Sequence, residues 1–243
     1  KTVKLSWSGA DDINASGAVV SDLGKGRMEY RMYQNPAYKG DTWLSTGSSK
    51  SSGDYALNIQ ALAEGLWYVE MRAKDDDGNL SVISDSVGFT KDISGPTTPN
   101  VSVIMTDPVS GWTKADSIRL NWGGLTDKYS AMKEIKYCVY NGENDKKWLT
   151  LANTKEAGYI VFSLAGLPTG QYTVEIKASD ALGNIGNAGQ ATFSVDHDAP
   201  TFMPSIAPDI WSVEAARTYK WSLLKDVGIG LQTFTYNLPN GTV

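Results

Sequence analysis

The stretch Gly65-Leu-Trp-Tyr-Val-Glu-Met-Arg-Ala-Lys-Asp-Asp-Asp-Gly-Asn79 returns 105 positions later as Gly170-Gln-Tyr-Thr-Val-Glu-Ile-Lys-Ala-Ser-Asp-Ala-Leu-Gly-Asn184. In both copies apolar and polar residues alternate before a turn that contains Gly and Asn, which is the pattern of a β-strand followed by a turn. A segment that recurs at a fixed spacing of this size indicates tandem domains of roughly 100 residues. Arrays of this kind usually extend a protein or bind a partner.

A second set of matches, shifted by 99 positions, links the middle of the chain to its end. The matched pairs are Trp112 and Trp211, Trp122 and Trp221, Asp127 and Asp226, and Tyr137 and Tyr236. Proline-containing segments around Pro96 and Pro200 separate the units, because proline fixes φ and removes a backbone donor. The sequence therefore predicts a unit over 1–95 that lacks its first strand, a complete unit over 96–198, and the N-terminal part of a third unit over 199–243.

The middle unit shows the predicted strands most clearly. Period-two alternation covers Ser117–Trp122, Glu134–Tyr140, Tyr159–Leu164, Tyr172–Ala178 and Gln190–Val195. Turn residues separate these segments at short intervals, and no segment has a helical stripe of apolar residues. This pattern predicts an all-β fold of tandem immunoglobulin-like sandwiches, with the last one truncated.

Composition excludes several functional classes. The net charge of −5 and the pI of about 4.9 argue against a nucleic-acid partner and against binding to anionic membranes. No segment reaches the roughly 20 apolar residues that a membrane-spanning helix needs. The only histidine, His197, lies in a linker, and the only cysteine, Cys138, lies in a predicted strand. A two-histidine metal site is thus excluded, a Ser-His-Asp triad is disfavoured, and we expect no catalytic residues.

The middle unit carries a recognisable series of motifs from Gly111 to Thr201. They are Gly-Trp-Thr, Leu-x-Trp, Ile-x-Tyr, an Asn-Gly turn, Gly-x-Tyr-x-Val-x-Ile-x-Ala-x-Asp-x-x-Gly-Asn and Val-Asp-x-x-Ala-Pro-Thr. The series resembles the bacterial immunoglobulin-like or fibronectin-III-like repeats of large surface proteins, adhesins and secreted glycoside hydrolases. The resemblance covers nearly the whole chain, but the first unit has an enlarged loop before Met28 and Trp67 in place of the usual Tyr.

The resemblance implies a non-catalytic spacer or stalk in an extracellular or cell-surface protein. Its partners would be neighbouring repeats of the same parent chain, and incomplete ends could add self-association. Two alternatives stay open. The first is an adhesion module that binds a glycan or a host protein through end loops such as 11–26. The second is an accessory region of a polysaccharide-degrading enzyme.

The acidic turn of the first unit is the most suggestive candidate metal site in the sequence. Asp75, Asp76, Asp77 and Asn79 could supply oxygen ligands to calcium, which takes six to eight of them. The alternative interpretation is a structural turn, because the second copy keeps only the equivalents of Asp75, Gly78 and Asn79. Asp196 and Asp198 form a rival candidate pair in the second linker.

The repeated tryptophans have a structural and a functional interpretation. Trp7, Trp122 and Trp221 occupy equivalent positions in alternating strands and are predicted to pack in the cores. Trp43 and Trp148 follow a turn, where they could pack at the edge of the sandwich or offer a flat surface to a sugar.

Overall fold

The computed structural model describes most of the chain. The described residues are 1–13, 16, 19–21, 27–106, 108–152, 154–205, 220–231, 233, 235, 237–238 and 241–242. The chain divides into two compact units, Lys1–Ile93 and Ser94–Val243. The described residues contain β-strands and one short 3-10 turn, Glu143–Asp145, and they contain no α-helix. Consequently no helix in the described residues is long and apolar enough to cross a bilayer.

The described residues of the first unit form eight strands. They are β1 (Thr2–Trp7), β2 (Asp12–Ile13), β3 (Val19–Ser21), β4 (Arg27–Tyr33), β5 (Leu44–Ser45), β6 (Gly53–Asn58), β7 (Gly65–Lys74) and β8 (Val87–Lys91). Strands β5, β4, β7 and β8 form one antiparallel sheet in that order, and β1 pairs with β6 in a second sheet. The core side chains Leu5, Tyr30, Leu57, Ile59 and Val69 come from both sheets, which makes this unit a sandwich.

The second unit repeats this plan, and among the described residues each of its two sheets has one additional strand. Its strands are β9 (Asn100–Ile104), β10 (Trp112–Thr113), β11 (Ser117–Gly123), β12 (Met132–Tyr140), β13 (Leu149–Thr150), β14 (Gly158–Ser163), β15 (Gly170–Asp180) and β16 (Gly189–Val195). One sheet has the order β10-β16-β15-β12-β13, and the facing sheet has the order β14-β11-β9. The five strands predicted from alternation are β11, β12, β14, β15 and β16, so the predicted fold class is confirmed.

Two further strand pairs are described where the sequence predicts a third repeat. They are β17 (Thr201–Ser205) with β18 (Lys220–Lys225), and β19 (Asn237–Leu238) with β20 (Gly241–Thr242). The boundary between the two compact units lies close to the predicted boundary at residue 95. The further division at residue 198 stays a prediction.

A tryptophan packed on a glycine fixes the same strand pair in both units. Trp7 faces Gly53 and Trp122 faces Gly158 in register, and a Cβ on either glycine would lie under 3.0 Å from the indole. Each indole N–H donates to a backbone carbonyl oxygen at 3.1 Å. The acceptor is Lys50 in the first unit and Lys155 in the second. The repeated tryptophans are thus packing residues, while the side chain of Trp221 lies outside the described residues.

Candidate functional site

The acidic turn of the first unit is closed by its own side chains. Asp75 Oδ1 accepts the backbone N–H of Asn79 at 2.7 Å, and Asp75 Oδ2 accepts the Asn79 side-chain amide at 2.8 Å. These hydrogen bonds from Asn79 hold the pKa of Asp75 below its ordinary value. Asp76 and Asp77 are exposed and Gly78 has φ of +90°, as the turn requires.

Of the four candidate calcium ligands, the structure thus joins Asp75 to Asn79 directly. In the described part of the chain, Asp75, Asp76 and Asp77 do not converge on one point with the spacing of a metal site. The geometry favours the structural turn, because Asn79 already occupies both oxygens of Asp75. The calcium hypothesis stays a prediction for which we give a test below.

The corresponding turn of the second unit has the same internal bonds and one additional partner. Asp180 is fully buried, and it accepts the Asn184 N–H and side-chain amide, both at 2.7 Å. Ser130 Oγ donates to Asp180 Oδ2 at 2.9 Å. Burial alone would raise the pKa of Asp180, but the bonds from Asn184 and Ser130 outweigh it and lower that pKa.

Ser130 also connects this turn to the loop after β11, a link that the sequence analysis did not predict. The Ser130 backbone N–H donates to Asp127 Oδ1 at 2.8 Å, and the carboxylates of Asp127 and Asp180 have oxygens within 4.8 Å of each other. Asp127 matches Asp226 and Asp180 matches Asp75 in the two repeat comparisons, so both acids had a sequence signal. Nothing in the sequence indicated that two loops 50 residues apart would meet.

The rival pair in the second linker has a similarly structural arrangement. Asp196 is buried, and its Oδ2 accepts the Ile229 N–H at 3.0 Å while its Oδ1 accepts the Asp198 N–H at 3.3 Å. The Asp198 side chain is exposed. The carboxylate of Asp196 therefore holds backbone segments together, and the two acids do not present a shared face.

A buried glutamate of β7, Glu70, has two cationic partners and a tyrosine partner. Arg31 donates to Glu70 Oε2 at 2.7 Å, and Lys39 and Tyr33 donate to Oε1 at 2.6 and 2.8 Å. Burial, the largest single effect, would raise the pKa of Glu70. The hydrogen bonds from Lys39, Arg31 and Tyr33 reverse the effect and bring that pKa to about 2. Glu70 is a charged anchor rather than a proton donor.

The second unit has the same glutamate with a different set of partners. Tyr140, Lys146 and Gln190 donate to Glu175 Oε1 at 2.8, 3.0 and 2.7 Å. These bonds lower the pKa of Glu175 despite its burial. Cys138 is directly opposite Glu175 in the register of β12 and β15, and burial followed by the charge of Glu175 raises the thiol pKa. A thiol with a raised pKa is a poor nucleophile, which agrees with a packing role for Cys138.

Cationic side chains contact the rings of both tryptophans that follow the turn. The guanidinium groups of Arg31 and Arg72 lie 4.8 and 4.1 Å from the centre of the Trp43 ring. The ammonium of Lys177 lies 3.9 Å from the centre of the Trp148 ring. Trp148 also lines a small cleft of about 170 Å³ together with Glu134 and Lys136. Sugar stacking on these rings would compete with cation–π contacts.

In each unit an aromatic side chain of a strand donates a hydrogen bond to the backbone carbonyl oxygen four residues before it. We call this the corner bond. Tyr172 Oη donates to the Pro168 carbonyl at 2.8 Å, which is the tyrosine corner of immunoglobulin-like sandwiches. In the first unit Trp67 Nε1 donates to the Ala63 carbonyl at 3.0 Å. The departure of Trp67 from the repeat pattern therefore preserves the bond and changes only its donor.

Comparison with known proteins gives partial matches. No family model matches the chain. The chain is 32% identical over 167 residues to Chitinase A1 of Niallia circulans, a match that covers 66% of this chain and 21% of the chitinase. The chain thus spans about a fifth of the length of that relative.

The solved structures that are similar to the chain include two sets of tandem domains. The FN1-FN3 domains of chicken CNTN1 match with a TM-score of 0.38 and 13% identity, covering 80% of this chain and 61% of that one. A tetra-tandem repeat in the extending region of a large adhesion protein matches with a TM-score of 0.37 and 24% identity, covering 74% and 44%. Strand order, facing sheets and the corner bond carry the assignment of the fold. By these features the chain is similar to tandem fibronectin-III-like and immunoglobulin-like repeats, as the sequence motifs predicted.

Proposed function

We propose that this chain is a non-catalytic spacer segment of an extracellular or cell-surface multidomain protein. The observation that carries the proposal is that its carboxylates form hydrogen bonds within their own unit. Glu70, Glu175, Asp75 and Asp180 each accept several hydrogen bonds from their own unit, and their pKa values are lowered. Carboxylates held in the charged form by structural donors stabilise a domain and are poor proton donors.

The repeated plan supports the same proposal. Each unit has its own hydrophobic core, and the second unit begins with a proline-containing segment that restricts the backbone. A series of independently folded sandwiches can hold other domains at a distance, with neighbouring repeats of the parent chain as its partners. A different role, adhesion through the enlarged loop 11–26, involves residues that lie largely outside the described part of the chain.

The second candidate is an accessory region of a secreted polysaccharide-degrading enzyme. The similarity to Chitinase A1 over 66% of the chain favours it. The two candidates differ in one measurable property, since a spacer has no affinity for polysaccharide and an accessory region binds it.

The test is a pull-down of the whole chain on insoluble chitin and cellulose, together with a screen for hydrolysis of polysaccharide, ester and peptide substrates. The spacer proposal expects neither retention nor turnover. Retention that is lost in Trp148→Ala but kept in Trp122→Phe would replace the spacer with the accessory-region proposal. Turnover that a single substitution in this chain abolishes would contradict both.

A further inference from the structure

The small cleft beside Trp148 in the second unit is lined by two lysines. It has a volume of about 170 Å³, and Lys136 of β12 and Lys177 of β15 line it together with Trp148 and Glu134. The two lysines are directly opposite each other in the register of these strands. Like charges at directly opposite positions of a sheet repel each other. The pairing of β12 with β15 therefore concentrates positive charge at this point.

The first unit has an ion pair at the equivalent site. Trp43 and Arg72 lie 105 positions before Trp148 and Lys177. Glu29 is opposite Arg72 in the register of β4 and β7, and its Oε2 accepts two N–H groups of Arg72, both at 2.8 Å. The side chains of Arg72 and Glu29 are only 19% and 15% exposed. The first unit thus supplies its own carboxylate beside the tryptophan.

Two replacements account for the cleft in the second unit. Strand register places Lys136 where the first unit has Glu29, and Cys138 where it has Arg31. The guanidinium of Arg31 lies 4.8 Å from the centre of the Trp43 ring, whereas a cysteine side chain is too short to make such a contact. The shorter side chain leaves space beside the ring, and the missing carboxylate leaves positive charge without compensation.

The one acid in the cleft does not replace the missing carboxylate. Lys136 lies 3.1 Å from Glu134 Oε2, and the Thr150 hydroxyl donates to Glu134 Oε1 at 2.9 Å, so both oxygens already have partners. Within the described part of the chain, the ammonium of Lys177 forms no ion pair and contacts the tryptophan ring at 3.9 Å. Two ammonium groups and one carboxylate leave the cleft positive, in a chain whose net charge is −5.

We infer that this cleft binds a carboxylate on a short aliphatic stem, supplied by a glutamate side chain of another protein. The carboxylate would accept hydrogen bonds from Lys136 and Lys177, as Glu29 does from its arginine in the first unit. The methylene groups of the stem would contact Trp148 and Ile185, which also lines the cleft and is 65% exposed. The inference goes beyond the spacer role, because it gives one domain a specific contact with a partner.

The size of the cleft favours a single side chain over a saccharide. Pockets that enclose small-molecule ligands usually have volumes of about 300–1,000 Å³, well above the 170 Å³ of this cleft. The chain also contains a template for the ligand, since the group that pairs with Arg72 in the first unit is a glutamate carboxylate. Acidic sugars and phosphate are therefore the competing ligands in the test.

The test titrates the whole chain with N-acetyl-glutamate methylamide, a glutamate with blocked ends, and follows amide and indole N–H shifts by NMR at low ionic strength. We expect saturable shifts at Trp148, Lys136 and Lys177, and none at Trp43, whose site already holds a carboxylate. N-acetyl-glutamine methylamide has the same shape without the charge and should bind at least tenfold more weakly. Absence of saturable binding, equal affinity for the two compounds, or equal shifts at Trp43 and Trp148 would overturn the proposal.

A substitution that copies the first unit locates the site. Lys136→Glu places a carboxylate opposite Lys177, and it should weaken binding at least tenfold in a chain that keeps the spectrum of the folded protein. If this variant unfolds, Lys177→Gln makes the same test by removing charge alone. The exposed Lys114 does not line the cleft, so Lys114→Glu changes the net charge equally and should leave the affinity unchanged. Binding that survives loss of the cleft lysine, or that Lys114→Glu weakens equally, would contradict the inference.

The same titration separates other sources of negative charge. Sodium glucuronate carries its carboxylate on a sugar ring, and inorganic phosphate has no aliphatic stem. If either binds more tightly than the glutamate compound, the cleft is a site for acidic saccharide or for small anions in general, and the proposal fails. It also fails if the Trp148 shifts grow with protein concentration alone, because the occupant is then a second copy of this chain.

Discussion

The two units share a strand plan but differ in how completely their cores are covered. Leu5, Trp7 and Ala73 of the first unit are all more exposed than Leu120, Trp122 and Ala178, which occupy the same positions in the second. The sequence pattern of the strands is alike in both units, so the pattern does not cause the difference. The cause is β9, which covers the edge of β11 and has no counterpart among the described residues beside β1. One added strand changes the burial of residues that are already in place.

The units also differ in how they neutralise the same buried glutamate. Glu70 has two cationic partners, Arg31 and Lys39, whereas Glu175 has one, Lys146. Cys138 is the second-unit residue at the position of Arg31, since both lie two residues before the tyrosine that bonds the glutamate. The first unit therefore depends more on charge at this site, and the second depends more on neutral hydrogen bonds and packing.

The largest difference in stability loss between the units should come from the equivalent tryptophans Trp7 and Trp122. Trp122→Ala should cost about 3–5 kcal/mol, as expected for a fully buried aromatic side chain. Trp7→Ala should cost about 1–2 kcal/mol, since less area leaves water in the native state. Each substitution removes one indole N–H bond of the same length, 3.1 Å, so the difference reports burial. Hydrogen exchange of β6 and β14 in the whole chain measures both opening free energies. Equal losses would show that β9 contributes nothing to the packing of Trp122.

Substitution of the buried glutamates should give the next largest loss of stability. Here the first unit should lose more than the second. Glu70→Gln should cost about 3 kcal/mol, because it leaves Arg31 and Lys39 beside a neutral group in a buried site. Glu175→Gln should cost about 1–2 kcal/mol, because Lys146 keeps its ion pair with Glu143 at 2.9 Å. The measurement is hydrogen exchange of β7 and β15. A larger loss for Glu175→Gln would reverse our comparison of the two sites.

Acid should weaken the first unit through Glu70. The pKa of this carboxyl is about 2 in the folded chain against 4.5 ordinarily. Above pH 4.5 both states are ionised and the full stabilisation is present. As the pH falls below 4.5 the unfolded chain takes up the proton first, so stability is lost progressively down to about pH 2. Exchange of β7 between pH 6 and pH 2 should show this loss in the native chain and a much smaller one in Glu70→Gln. Parallel curves would assign the acid sensitivity to another group.

The positions of the main strands and the equivalence of the repeated tryptophans could be predicted, because local alternation and repeat spacing indicate them. The burial of Glu70 and Glu175 could not, since an outward-facing glutamate in an alternating strand has the pattern of a solvent-exposed residue. Each glutamate is covered by residues distant in sequence, such as Lys39 for Glu70 and Lys146 for Glu175, which are about 30 positions away. The predicted calcium ligands had a true sequence signal, an acidic run, but their mutual distances depend on turn geometry.

A smaller contrast concerns the corner bonds. Trp67→Phe should cost about 1 kcal/mol more than Trp67→Tyr, because only tyrosine can replace the lost N–H donor to Ala63. Tyr172→Phe removes the bond to Pro168 and should cost about 1 kcal/mol. Thermal unfolding of the three variants checks the order. If Trp67→Tyr is as damaging as Trp67→Phe, the indole ring and not its hydrogen bond closes the corner.

The acidic turns should show the smallest effect. Asp75 already has both oxygens bonded to Asn79, and Asp76 and Asp77 are exposed, where charge interactions are worth little. The double substitution Asp76→Asn with Asp77→Asn should therefore change the free energy of unfolding by no more than about 0.5 kcal/mol. Addition of calcium in the millimolar range that suits extracellular modules should leave the melting temperature of the native chain unchanged. A ligand that binds only the folded state must raise that temperature. At a ligand concentration 100 times its Kd, the free energy of unfolding increases by about 2.7 kcal/mol. A calcium-dependent rise that disappears in the double variant would establish the metal site, and it would place it in the first unit, because the second turn keeps Asp180 alone.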